Sequence, residues 1–193
     1  MRLKPIYFEK FIRPKFAVKL YIEKILRAYF NFDKRSVLDF GCGTGANCYM
    51  FDKDVYLGID VDAERINYAR KKYPGYKFDC LKNNKIPAKD CTFDFICITA
   101  TIHHIPDEDF EKYPPEFFRI LKPNGRIVAI EPCLFKMDIV NNSFMNFFDE
   151  GKYIRTEREY VDLFSKLYDF VVHKRFKKFL FYNEIFFSAK KRI

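Results

Sequence analysis

The chain has 193 residues, a length that suits one domain with a sizeable core, and its net charge is +9. Such a charge permits an anionic partner, although a lysine-rich solvated surface is the simpler interpretation. The six cysteines form no Cys-x-x-Cys pair, which argues against a zinc ribbon, and no uncharged apolar run is long enough to span a bilayer. Because the N-terminus shows no apolar leader, we expect a cytoplasmic protein with one domain over residues 1–193.

Apolar residues at helical spacing predict a first helix over residues 16–30. This helix belongs to an expected N-terminal helical cap, residues 1–35. The residues before it mix aromatic and basic side chains, which suit either closure over a ligand or contact with a membrane face. They are Tyr7, Phe8, Phe11 and Arg13.

Apolar strands and helical patterns then alternate along the chain. The predicted strands cover residues 36–40, 55–60, 76–79, 93–99 and 126–131. The predicted helices run from the turn after the first strand to about residue 51, from 63 to 73, and from 107 to 121, and a turn at 122–125 follows. A capping box at Thr156–Glu159 opens another helix, and strands at 169–176 and 179–188 form an antiparallel pair. This order is typical of a doubly wound α/β sheet, which binds ligands outside the carboxyl ends of its strands.

The most informative segment is Val37-Leu38-Asp39-Phe40-Gly41-Cys42-Gly43-Thr44-Gly45. A buried strand leads into a turn with glycine at alternate positions, and only glycine removes the Cβ atom that would block a close approach. The turn is predicted to open a helix whose first N–H groups are unpaired and electropositive. These features predict a nucleotide-type cradle after the first strand.

Carboxylates end the first three predicted strands, at Asp39, Asp60 and Asp79, so we expect them to line one crevice. Asp60 is placed to accept hydrogen bonds from two ribose hydroxyls. Asp79, or the backbone of Cys80, is placed to meet an adenine edge. Asp39 is placed either to organise the glycine turn or to contact a ligand ammonium group.

A dinucleotide site is the main competing interpretation, because Ala46 occupies a position where the Gly-x-Gly-x-x-Gly fingerprint tolerates alanine. An acid such as Asp39 beside the cradle would repel a pyrophosphate. A cationic amino-acid ligand makes the same acid reasonable, so the sequence favours a positively charged aminoacyl nucleoside.

Together with three later segments, the glycine turn resembles the motifs of the class I S-adenosylmethionine-dependent methyltransferases, in their small-molecule, type 11/12-like branch. The later segments are Gly58–Val61, Phe93–Ile105 and Phe118–Arg126, and the resemblance covers residues 36–132. It implies a doubly wound, Rossmann-like, seven-stranded sheet with a C-terminal antiparallel hairpin. It also implies S-adenosylmethionine as the methyl donor and S-adenosylhomocysteine as the product.

The resemblance further implies a set of cofactor-binding residues. These are Asp39, Gly41, Cys42, Gly43, Gly45, Asp60, Val61, Asp79, Cys80, Thr99 and Ala100. The glycines would make room for the methionine portion, and Val61 would lie against the adenine face. Thr99 and Ala100 would flank the methionine end through their backbone.

His103 and His104 follow the fourth strand and face the expected methyl group, so either could act as a general base. The alternative is that one of the pair caps a turn or packs in the core. A metal site built from these histidines with Glu131 or Asp107 lacks a recognised ligand spacing, and we expect none.

Residues 132–155 form a predicted substrate-side insertion, in which Tyr153 and Arg155 follow Gly151 and are the predicted substrate contacts. We expect methyl transfer to a small-molecule acceptor, with O-methylation favoured, because the chain is compact. Two alternatives stay open. The positive charge suggests an RNA methyltransferase, and a non-catalytic S-adenosylmethionine-binding module would carry the same motifs.

Overall fold

The computed structural model describes residues 15–82, 85–149 and 151–192. The predicted roles of Tyr7, Phe8, Phe11 and Arg13 therefore lie outside the described residues. The described strands are β1 (Val37–Phe40), β2 (Tyr56–Asp60), β3 (Lys77–Cys80), β4 (Phe93–Thr99), β5 (Leu121–Leu134), β6 (Arg155–Thr156), β7 (Tyr168–Lys178) and β8 (Tyr182–Lys191). Within these ranges no helix combines the length and the apolar content that crossing a bilayer requires.

Seven of these strands follow one another in a single sheet, in the order β3-β2-β1-β4-β5-β8-β7. The first five strands of that order run parallel, whereas β8 is antiparallel to both β5 and β7. The short β6 pairs with the end of β5. The predicted doubly wound sheet with an antiparallel C-terminal hairpin is confirmed. Its strand order changes direction between β1 and β4, where such sheets bind ligands.

Helices cover both faces of the sheet. Helix α1 consists of α-helical turns at Lys15–Val18 and Lys24–Tyr29, joined by a π-helical turn at Lys19–Glu23. Further α-helices are α2 (Ala63–Lys72), α3 (Asp107–Phe110), α4 (Tyr113–Ile120), α5 (Ile139–Phe148) and α6 (Glu157–Phe164). The N-terminus of α2 is capped by Asp62, and that of α6 by the predicted capping box between Thr156 and Glu159.

Alternate side chains of the strands build one apolar cluster on each face of the sheet. Leu38 belongs to the cluster that contains Phe117 of α4. Val37 and Val128 belong to the cluster that contains Ile22 of α1. The described part of the predicted cap, helix α1, therefore covers a face of the sheet.

The glycine turn does not open an α-helix, so that prediction is wrong. Residues 41–47 form consecutive turns, and a 3₁₀ turn follows at Cys48–Met50. Gly41, Gly43 and Gly45 take φ values of 73°, 54° and 75°, which lie outside the right-handed helical region. Short-range hydrogen bonds, such as Gly45 N–H to the Cys42 carbonyl, replace the helical pattern.

The predicted turn at residues 122–125 is a bulge inside β5. Phe93 pairs with Leu121 and Phe95 with Arg126, so the residues between them loop out opposite Asp94. Nζ of Lys122 lies 2.7 Å from Oδ2 of Asp94 and ties the bulge to β4.

Candidate active site

The glycine turn lies at the carboxyl end of β1, and its three glycines have different surroundings. A Cβ atom on Gly41 would collide with the side chain of Thr101, and one on Gly45 would lie 2.8 Å from Cζ of Phe78. These two glycines therefore allow close packing within the chain. A Cβ atom on Gly43 would meet nothing closer than Nη1 of Arg65 at 3.9 Å and Oδ2 of Asp60 at 4.0 Å. Gly43 is thus the glycine of this turn whose Cβ position is not closed by packing.

Asp60 ends β2 directly beside Gly43. Its Oδ2 accepts the N–H of Gly43 at 2.8 Å, and its Oδ1 accepts the N–H of Asp62 at 2.9 Å. A carboxylate oxygen has lone pairs for more than one donor, and this side chain is partly exposed. Both oxygens can therefore accept a further hydrogen bond from a ligand.

Asp39 lies beneath the turn. Its side chain is 1% exposed, and its Oδ2 accepts a hydrogen bond from the Tyr56 hydroxyl at 2.9 Å. Burial, reinforced by the negative charge of Asp39, raises the pKa of Tyr56 well above its usual value, so the phenol keeps the proton that it donates. Of the two roles predicted for Asp39, this geometry favours the organisation of the turn.

Val61, Asp79 and Cys80 lie together where β2 and β3 end. Asp60 pairs in register with Cys80, whose N–H donates to Oδ1 of Asp79 at 2.8 Å. The thiol of Cys80 lies 3.6 Å from the Val61 carbonyl oxygen. The Val61 side chain is 66% exposed, so an apolar surface adjoins these polar groups.

Thr99 and Ala100 lie where the chain leaves β4. Ala100 has a φ of 50°, and its N–H donates to the Ile130 carbonyl at 2.9 Å. Oγ1 of the next residue, Thr101, lies within hydrogen-bond distance of the Thr99 carbonyl at 3.2 Å and of the Gly41 carbonyl at 3.4 Å. The structure therefore brings the exit of β4 against the glycine turn, as the predicted cofactor site requires.

Two buried polar atoms in this region have no hydrogen-bond partner within the described ranges, Oγ1 of Thr44 and Oδ1 of Asn47. Nδ2 of Asn47 donates to Oγ1 of Thr99 at 3.3 Å. Unpartnered buried polar groups are uncommon and suit a missing ligand or water. Neither residue was among the predicted site residues, since only the folded turn shows that these atoms are buried.

His103 is buried between two carboxylates. Its Nδ1 lies 2.9 Å from Oε2 of Glu131, and its Nε2 lies 3.4 Å from Oδ1 of Asp149. Burial would lower the pKa of His103, but the hydrogen bonds and charges of Asp149 and Glu131 overcome it and raise the pKa to about 9. A doubly protonated ring donates to both carboxylates, whereas a neutral ring would direct a lone pair at one of them.

This geometry does not favour His103 as the general base, because a carboxylate lies against each of its two ring nitrogens. His103 instead joins the exit of β4 to β5 and to the residue after α5. The alternative interpretation of one histidine, a packed core residue, applies to His103.

His104 is exposed and lies against the His103 ring, with the ring centroids 4.1 Å apart. Although part of this side chain reaches solvent, the packing around its ring desolvates it, and this desolvation, followed by the positive charge of His103, lowers the pKa of His104 to about 4. The positive charge of Arg65 acts in the same direction. His104 is neutral at physiological pH and stays the predicted base.

Arg155 is not free to contact a substrate, which corrects its predicted role. Its guanidinium group is buried and donates to the carbonyls of Ile102, Tyr153 and Ile105 and, from two nitrogens, to Oδ1 of Asp107. A guanidinium has five N–H donors, and these contacts use all of them. Arg155 holds the loop after β4 in place.

Tyr153 lies beside the same loop, and its N–H donates to the His103 carbonyl at 3.0 Å. Its side chain is 41% exposed and stays a predicted substrate contact. In the described ranges, no group of three or more His, Cys, Asp or Glu residues is arranged to hold a metal ion.

Glu131 and Asp149 are structural residues of the site that the sequence did not single out for this purpose. The fully buried Glu131 accepts the N–H groups of Thr101 at 2.7 Å and Ile102 at 3.0 Å, in addition to its contact with His103. The sequence did offer one signal for Glu131. A carboxylate at the end of a predicted buried strand requires several hydrogen-bond donors nearby, which marks it as a structural residue.

Residues 37–125 match the protein family described as a methyltransferase domain. The chain is 29% identical over 115 residues to demethylmenaquinone methyltransferase from Chlorobaculum parvum, which covers 58% of this chain and 47% of that protein. It is 26% identical over 141 residues to phosphoethanolamine N-methyltransferase from Plasmodium falciparum. This match covers 69% of this chain and 53% of that protein. The chain spans about half the length of these curated relatives.

Among solved structures, a SAM-dependent methyltransferase from Aquifex aeolicus shares the fold, with a TM-score of 0.69 at 22% identity. The similarity covers 97% of this chain and 99% of that chain. The likeness therefore extends over nearly the whole sheet and its helices.

Proposed function

We propose that the crevice binds S-adenosylmethionine and that the chain methylates a small-molecule acceptor. Residues 37–125 match the family described as a methyltransferase domain, which supports the resemblance that the glycine turn suggested. The observation that carries this proposal is the juxtaposition of Gly43 and Asp60. The position of a Cβ atom on Gly43 is free of close contacts and lies next to a carboxylate with remaining acceptor capacity. Gly41 and Gly45 are both closed by packing and do not offer this arrangement.

Residues of the crevice fit the parts of this cofactor. Asp60 would accept the ribose hydroxyls, while Val61, Asp79 and Cys80 offer one exposed apolar surface and polar groups for the adenine. The residues proposed to surround the methionine portion are Cys42, Gly43, Thr99 and Ala100, whereas Asp39, Gly41 and Gly45 shape the turn that carries them. The unpartnered oxygens of Thr44 and Asn47 add buried polar atoms to this part of the site.

When bound, the cofactor supplies a methyl group on a positively charged sulfur atom and leaves as S-adenosylhomocysteine. The protein's task is then alignment, since well-oriented reactants recover about 7–11 kcal/mol of the barrier. The Arg155 contacts hold the loop after β4, and His103 holds the same loop to Glu131, so the wall that faces the acceptor is fixed.

We favour a hydroxyl oxygen as the nucleophile, because a hydroxyl needs a proton acceptor. The neutral imidazole of His104 provides a lone pair at the rim of the crevice, whereas protonated His103 does not. Tyr153, on the neighbouring loop, is the proposed acceptor contact. The two curated relatives described above are named for a quinone precursor and for phosphoethanolamine, which supports an acceptor of low molecular mass.

Calorimetry and methyl transfer test this proposal in two stages. Titration with S-adenosylhomocysteine, NAD and ATP should show saturable binding of S-adenosylhomocysteine alone; binding of NAD or ATP in its place would overturn the cofactor assignment. Methyl-labelled S-adenosylmethionine is then supplied with a low-mass metabolite extract or with total RNA. Label in a low-mass product supports the proposal, label only in RNA supports the RNA alternative, and binding without transfer identifies a non-catalytic module.

A further inference from the structure

A large apolar surface is exposed beside the crevice, on three segments of the chain. Its most exposed side chains protrude strongly, with Met137 90%, Phe147 81% and Leu180 77% exposed. We define the apolar surface as Met137, Ile139, Val140, Phe144, Phe147 and Phe148 around α5, Phe179, Leu180 and Phe181 in the β7–β8 turn, and Phe16 and Leu20 of α1. Contiguous exposed apolar patches of this kind mark interaction sites in soluble domains.

Ring contacts join the three segments into one surface. The ring centroid of Phe144 lies 5.8 Å from that of Phe181, which connects α5 to the β7–β8 turn. Phe179 lies 6.3 Å from Phe16 and 5.2 Å from Tyr21, which connects the same turn to α1. Along α5 itself, Val140, Phe144 and Phe148 follow at four-residue spacing and so share one side of the helix.

The surroundings of the apolar surface are basic. Exposed lysines adjoin each of its segments, namely Lys136 before α5, Lys174 on β7, and Lys19 and Lys24 on α1. Two acids nearby are already paired, since Asp138 lies 2.8 Å from Nζ of Lys177 and Glu184 lies 3.4 Å from Nζ of Lys178. The rim therefore favours a partner with negative charge.

We propose that the apolar surface docks onto an anionic lipid bilayer. Protruding phenylalanine and leucine side chains with a lysine rim suit insertion into the boundary between headgroups and acyl chains, and the lysines suit acidic headgroups. A second copy of this chain fits less well, because a symmetric contact would bring two lysine rims together. The whole chain's net charge of +9 adds long-range attraction to the same partner.

The apolar surface lies at the same edge of the sheet as the crevice. Asp149 directly follows α5 and contacts His103, on the loop that leaves the carboxyl end of β4. The β7–β8 turn reaches that edge as well, because Pro132, near the end of β5, pairs with Glu184, near the start of β8. Docking would therefore place the mouth of the crevice near the lipid.

Vesicle co-sedimentation tests this proposal without any need for methyl transfer. The full chain is mixed with vesicles of phosphatidylcholine alone or with phosphatidylglycerol added. We expect binding to the anionic vesicles that weakens as salt is raised. The variant Phe147→Ser/Leu180→Ser should bind about tenfold more weakly or worse, since it loses two inserted apolar side chains. The matched control Val55→Ser/Val171→Ser removes two exposed valines that are not part of the apolar surface and should bind as the wild type does.

A second pair of variants tests the charged rim. Lys136→Gln/Lys174→Gln should weaken binding to anionic vesicles, by about fivefold for each lysine near the surface. The control variant Lys71→Gln/Lys77→Gln removes the same charge near the opposite edge of the sheet. It should weaken binding to anionic vesicles less. The proposal is overturned if the wild type ignores anionic vesicles, or if the control pairs lose as much binding as the test pairs. Concentration-dependent dimers that Phe147→Ser/Leu180→Ser abolishes, without vesicle binding, would assign the surface to a second copy instead.

Discussion

Nδ1 of His103 lies 2.9 Å from Oε2 of Glu131, and both side chains are almost completely buried. The contact joins the loop after β4 to β5, the strand that pairs with β4. The other Glu131 oxygen accepts two backbone N–H groups of the same loop. One carboxylate therefore fixes the position of the loop that carries His104, and the charge of His103 makes that carboxylate tolerable in the interior.

This contact predicts how stability depends on pH. The pKa of His103 is raised from 6.5 to about 9 in the folded chain, so its stabilising effect is complete below pH 6.5 and is lost as the pH rises to about 9. At ~1.4 kcal/mol for each pKa unit, the free energy of unfolding should fall by about 3 kcal/mol across that range. Urea unfolding at pH 6.5 and pH 9.5 measures the change.

Other groups titrate in the same range, so the His103→Gln variant provides the comparison. It should be less stable than the wild type at pH 6.5, and its stability should change less between the two pH values. Equal pH dependence in both proteins would show that His103 is not the group responsible.

Asp60→Ala should weaken binding of S-adenosylhomocysteine by roughly 1–3 kcal/mol, because a hydrogen-bonding partner of the ribose is removed. Calorimetry measures the loss. Asp52→Ala is the matched control, since Asp52 caps the short helix at the amino end of β2, away from the crevice. An unchanged affinity in Asp60→Ala, or an equal loss in both variants, would contradict the ribose assignment.

The two glycines Gly41 and Gly43 should respond differently to alanine. Gly43→Ala has space for its Cβ atom, so the variant should fold with a cost of about 1–2 kcal/mol for its positive φ. Its methyl group stands in the crevice, and affinity for S-adenosylhomocysteine should drop roughly tenfold, or ~1.4 kcal/mol. Gly41→Ala collides with Thr101 and should lose more thermal stability. Comparable melting temperatures with unchanged affinity would show that Gly43 does not face the ligand.

Arg155→Lys should destabilise the chain without altering cofactor affinity. Lysine cannot reproduce the planar set of donors that Arg155 directs at Asp107 and three carbonyls, so buried acceptors lose partners at a cost of roughly 1–3 kcal/mol. Chemical unfolding and calorimetry with S-adenosylhomocysteine separate the two effects. A stable variant that had lost turnover alone would restore Arg155 as a substrate contact.

Local sequence signals were sufficient for most of the strands and for the starts of α2 and α6. The mainly apolar segment Phe93–Thr99 predicts β4 with its observed bounds, and the capping residue Asp62 marks the start of α2. The placement of Asp60 beside the glycine turn also followed from the sequence. Parallel strands bring their carboxyl ends to one edge, so the acid at the end of β2 had to adjoin the turn after β1.

Contacts between distant segments were beyond such signals. The charge state of His103 depends on Glu131 from β5 and Asp149 after α5, and neither proximity can be inferred from spacing along the chain. The role of Arg155 depends in the same way on carbonyl groups of the loop after β4. The glycine motif suggested three equivalent positions, and only side-chain packing by Thr101 and Phe78 distinguishes Gly43 from the others.

The position of β8 in the sheet has a consequence for how the chain folds. The outermost strand, β7, joins the sheet through β8, which follows it in sequence. Strand β8 in turn pairs with β5, which lies much earlier in the sequence. Until Tyr182–Lys191 is available, β5 presents an unpaired edge and β7 has no place to dock. Completion of the sheet should therefore be a late event during synthesis, and shortened chains that lack this strand should aggregate.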